Sequence, residues 1–96
     1  MIIDNSNRSM EVNVFMGLGE ITEYALVALN RYESVVKVLY YRAESDEDIT
    51  IDFNKVEVVK SFTCSSEEEA ERKYDELNDM SIVIPIIMEY LQRQIQ

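Results

Sequence analysis

The chain has 96 residues, a formal net charge of −10 and a hydrophobic fraction of 47%. That length suits one domain, and the apolar content excludes a globally disordered chain. It has no histidine, no tryptophan and one cysteine, so intrachain disulfides and Ser-His-Asp or Cys-His sites are excluded.

The charge is uneven. Residues 1–43 carry five acids and four bases, whereas residues 44–96 carry fourteen acids and five bases. Such an excess opposes direct contact with nucleic acid or anionic membranes and favours a basic partner or simple solvation. No signal peptide or lipid anchor is expected at the start, Met1-Ile2-Ile3-Asp4. The longest apolar run, Ile82–Met88, is far shorter than the ~20 residues that span a bilayer. A reducing, cytoplasmic setting is the expectation.

Residues 1–9 read as a polar lead-in to a single domain over residues 1–96. From Glu11 the pattern has a period of two, with Val12, Val14 and Met16 on one face and Glu11, Asn13 and Phe15 on the other. That predicts a strand. Gly17-Leu18-Gly19 then predicts a tight turn; it lacks the further residues of a phosphate loop. Glu20–Tyr32 fits two patterns. Ile21, Tyr24, Ala25, Ala28, Leu29 and Tyr32 form a helical stripe, while Ala25, Val27 and Leu29 alternate with Tyr24, Leu26 and Ala28 as a two-sided strand. The flanking turns, Gly17–Gly19 and Asn30–Ser34, favour the strand.

Val35–Arg42 is rich in β-branched and aromatic residues, the clearest strand signal in the chain. Tyr40 and Tyr41 should point to opposite faces, which would take one of them out of the core. After an acidic turn at Ser45–Asp48, Ile49, Ile51 and Phe53 alternate with polar residues as a half-buried strand, and Asn54-Lys55 fits either a tight turn or the middle of one long bent strand. Val56, Val58, Lys60 and Phe62 resume the period of two.

The period then changes. Ser66 with Glu69 makes a capping box, and Glu67, Glu68 and Glu69 suit the positive end of a helix of about fourteen residues. Ala70, Tyr74 and Leu77 form its apolar side. A last helix is expected from Ser81, with Pro85 in its first turn and Val83, Ile87, Tyr90, Leu91 and Ile95 on one stripe; Ile82, Ile84 and Ile86 also fit a short strand. Strands followed by helices predict an α+β fold, a mostly antiparallel meander of four to five strands with two C-terminal helices on one face.

Neither cofactor nor metal is expected. A calcium loop starting at Asp46 would place Asp46, Asp48, Thr50, Asp52 and Glu57 at ligand positions, but Ile51 stands where the loop needs glycine. Alternation along a solvated strand face explains the same spacing. Cys64 reads as a structural thiol, since the glutamates that follow oppose its ionisation. The expected function is therefore non-enzymatic. An acidic face of Glu44, Asp46, Glu47, Asp48, Asp52, Glu67, Glu68 and Glu71 would dock, as a nucleic-acid mimic or inhibitor, on a basic, nucleic-acid-handling protein. The alternative is an assembly subunit. The last helix is apolar on more than one side, and Ile82, Ile86, Ile87, Tyr90 and Leu91 would form a homo-oligomer interface.

Overall fold

A computed structural model describes residues 10–16, 22–43 and 51–95. The chain forms β1 (Met10–Met16), β2 (Glu23–Asn30), β3 (Val35–Arg42), β4 (Glu57–Thr63), α1 (Glu67–Glu76) and α2 (Met80–Ile95). The strands make one antiparallel sheet in the order β1-β2-β3-β4, a meander, followed by the two helices. The expected α+β architecture is the observed one, and Glu23–Asn30 is a strand.

Alternation explains the layers. Ala25, Val27 and Leu29 of β2 and Val36, Val38 and Tyr40 of β3 point to one face, where they pack with Ala70 and Leu77 of α1 and Val83 and Ile87 of α2. Tyr24 and Leu26 of β2 and Leu39 and Tyr41 of β3 point to the other, where Ile51 and Val56 cover them. The sheet is thus apolar on both sides. Tyr40 and Tyr41 do take opposite faces, but both are buried, at 7% and 8% exposure. The expectation that one leaves the core fails because the far face has its own cover.

Three further expectations change. Residues Ile51–Val56 are not a strand: Asp52 Oδ1 accepts from the Asn54 amide, the Lys55 amide donates to the Asp52 carbonyl, and the chain turns at Phe53 and Asn54. Ile51 is buried and Phe53 exposed. Within β4 the period of two is broken, because the register shifts between Val38 and Leu39 so that Lys60 and Val58 are their successive partners. The extra residue, Val59, forms a bulge. Phe62 and Val59 therefore pack towards the helices and Val56 towards the far face, while Val58 stays half exposed.

Both helices also differ in length from the periodicity. α1 has ten residues and ends at Leu77. Asp79, not Ser81, begins α2: its carboxylate accepts from the Ser81 amide and hydroxyl, and its carbonyl from Ile82 and Val83. Pro85 consequently sits in the second turn, inside the helix. Its missing amide leaves the Ser81 carbonyl without a helical donor, on the exposed side of the helix.

Tyr24 is 1% exposed and its hydroxyl has no hydrogen-bond partner among the described residues. An unpaired buried hydroxyl is destabilising. Tyr24→Phe should therefore raise the unfolding free energy by about 1 kcal/mol in chemical denaturation; a loss of similar size would mean that the hydroxyl is paired.

Candidate functional site

α1 starts where the sequence requires. The Ser66 hydroxyl oxygen accepts from the Glu69 amide at 3.1 Å. The Glu69 carboxylate reaches back one residue further than in a simple capping box, accepting from the Ser65 amide at 3.1 Å and from its hydroxyl. Those bonds hold the Glu69 carboxyl below its ordinary value of 4.5. A lowered carboxylate pKa contributes stability above the unfolded value, lost as pH falls through the folded one. Glu69 should therefore titrate below pH 4.5 by carboxyl-carbon NMR, and α1 should fray at its start below that pH. In Glu69→Gln the acid fraying should disappear; a midpoint at or above 4.5 would contradict the bonds to Ser65.

Burial of Ala70 and Leu77 turns the charged side of α1 outwards. Six of its ten residues are acidic and two basic. Glu67, Glu68, Asp75 and Glu76 are exposed. Glu71 is engaged instead: its carboxylate accepts from Arg31 Nε at 2.8 Å, and Arg31 also pairs with Glu11. This pair of contacts ties α1 to the β2–β3 turn and to β1. The two carboxylates hold the Arg31 pKa above its usual value.

The β2–β3 turn brings a residue that the sequence reading passed over. Asn30 Oδ1 accepts from the Glu33 amide, and Ser34 takes a positive φ of 56°. Between them Tyr32 is 88% exposed, next to the Arg31 that holds Glu71. Its place in the ambiguous apolar stripe of Glu20–Tyr32 hid it. Position at a polar turn was the available signal, since turn side chains project to solvent.

Of the two bases of α1, Arg72 is exposed with the acids and Lys73 is turned onto Phe62. Lys60 and Lys73 lie 5.2 Å and 4.6 Å from the Phe62 ring centre, and Lys73 Nζ is 3.7 Å from Glu76. Lys73 borders an open cleft of about 560 Å³ beside Cys64, and a smaller one of about 210 Å³ lies between Lys60 and Arg93. Cys64 is half-buried against the helix-side core.

Of the other expected acidic residues, Asp52 is the described one, and it does not join α1. Asp52 follows Ile51, which packs on the far face of the sheet, whereas α1 lies on the helix face. Glu44, Asp46, Glu47 and Asp48, like Gly17–Gly19 and the lead-in 1–9, lie outside the described residues. Among the described residues no cluster of three or more Cys, Asp or Glu is placed to hold a metal ion, and Glu57, the last position of the tested calcium loop, accepts from the Tyr90 hydroxyl.

The apolar candidates in α2 also divide. Ile87 is fully buried, Ile86 and Leu91 are partly buried against the core, and Tyr90 is half-buried over β4. Of the five, only Ile82 is exposed; Met80 and Met88 are exposed beside it on the same helix.

Among the described residues the titrations that shift move away from neutrality. Burial and a 2.8 Å bond to Glu23 push Tyr40 up to about 12. The bond to Glu57 raises Tyr90, burial raises Tyr74, and the bonds from Ser81 lower Asp79. No charged residue among those described is buried.

Fold and surface together define an α+β protein with a four-stranded meander, two covering helices and an acidic helix beside an exposed tyrosine. No family model, curated protein or solved structure matches the chain. No helix among the described residues is long and apolar enough to cross a membrane.

Proposed function

We propose that this chain is a non-enzymatic binding module that docks the acidic face of α1, with Tyr32 at its margin, on a basic protein. The observation that carries the reading is the acidic excess on the outer side of α1. Glu67, Glu68, Asp75 and Glu76 face solvent there with one base, Arg72, among them, while Lys73 is drawn back onto Phe62. Exposed carboxylates steer a cationic partner and fix its orientation more than they add affinity. Tyr32 supplies what they lack, a large rigid contact with a polar tip.

The titration pattern supports a role without catalysis. General acid–base chemistry needs a group brought near neutral pH, commonly a carboxyl in an apolar setting. Here the shifted carboxylates go down and the shifted phenols go up. A partner that handles nucleic acid suits the surface best, because its phosphate-binding groove is already complementary to spaced negative charge. The test is capture of proteins by the full chain at low and high salt, beside a variant with a neutralised α1.

A further inference from the structure

The two edges of the sheet are built differently. β4 carries the bulge at Val59, the charged Glu57 and Lys60, and sits beside Lys55. Bulges and edge lysines are the usual means of preventing one sheet from pairing with another. β1 has none of them. It is seven residues, MEVNVFM, in unbroken register with β2, with no proline, no lysine and no bulge. Among the described residues nothing pairs with its outer edge.

α2, on the helix-covered face of the sheet, also leaves apolar surface open. Ile86 and Tyr90 face β4, since both line the cleft with Val59 and Lys60, and the Tyr90 hydroxyl donates to Glu57. Val83 and Ile87 point into the core. At about 100° per residue, the next side chains round the helix are Met80, Leu91, Ile84 and Met88, on the flank away from Ile86 and Tyr90. Met80 and Met88 are 40% and 43% exposed, and Ile84 and Leu91 half-buried. Among the described residues the β1 edge and this helix flank are both left uncovered.

We infer that the β1 edge is the interface for a second copy of the chain, joined by antiparallel pairing of β1 with β1. Charge selects that occupant. Two chains of −10 each must meet where neither is acidic. The one ionised group of β1 is Glu11, already paired with Arg31, and the helix flank is bordered by Ser81 and Gln92. A basic partner would find no countercharge here. Strand β1 is also self-complementary about its middle residue. With the two-fold axis at Asn13, Val12 lies opposite Val14 of the second copy and Glu11 opposite Phe15, so the acids do not face each other. The axis is perpendicular to the sheet, so both α2 helices stay on one face of the joined sheet.

This goes beyond the acidic-face reading, and either can fail alone: the dimer is read by mass and cross-linking, docking by salt-dependent binding. Light scattering on the full chain should give twice 11.2 kDa at high concentration. In a Cys64→Ser background, Asn13→Cys should form an interchain disulfide on oxidation, because residue 13 would face its copy at ~4.5–5.5 Å between Cα atoms. Ser61→Cys on the β4 edge should not. A monomer at every concentration, or a dimer that fails to cross-link through residue 13, would overturn the inference.

Discussion

Ile87→Ala should lower the unfolding free energy by about 3 kcal/mol, whereas Met88→Ala, one residue on, should change it by less than about 0.5 kcal/mol in dilute solution. Ile87 is fully buried among Val27, Val38 and Val83, so truncation leaves a cavity that a sheet-backed core cannot close. Met88 is 43% exposed. The loss is large against the roughly 5–15 kcal/mol that holds a domain together. Urea denaturation of both variants checks it: similar midpoints would mean that α2 does not bury Ile87 against the sheet.

Replacing Glu67, Glu68 and Asp75 by Gln, Gln and Asn should weaken binding to a basic partner by about 3- to 150-fold. Three exposed charge pairs at roughly 0.2–1 kcal/mol each give up to about 3 kcal/mol. Folding should survive. Glu67 and Glu68 favour the helix start, so losing them costs a few tenths of a kcal/mol each, but Asp75 opposes the negative helix end and its loss offsets part of that. Glu71 is kept in this variant because its pair with Arg31 links α1 to β1 and the β2–β3 turn. Adding Tyr32→Ala should deepen the loss of binding at unchanged stability, since an 88%-exposed side chain has little packing to lose. Unaltered affinity in the triple variant would place the docking surface elsewhere.

Much of the fold was legible because its signals are local. The β2–β3 hairpin follows from two-sided apolar alternation around a polar turn, and α1 from Ser66 and Glu69. What escaped depends on tertiary registry. The bulge at Val59 arises from how β4 meets β3, and no periodicity of β4 alone reveals it. Asp79 outcompeted Ser81 as the start of α2 because its carboxylate reaches the Ser81 amide, which set Pro85 two residues deeper in the helix. The division of α2 into buried Ile87 and exposed Met88 is set by where the sheet lies, and an all-round apolar helix conceals that choice. The acidic surface was legible as composition only: Asp52 and α1 are both acidic, yet the sheet stands between them.

The most direct test is capture by the full chain, beside the triple α1 variant, at about 0.1 M salt and at about 1 M, where the screening length falls from about 10 Å to about 3 Å. The expected result is a basic protein held by the unmodified chain at low salt, released at high salt and not held by the variant. Retention of no basic protein at low salt, or equal retention by chain and variant at both salts, would contradict docking through α1.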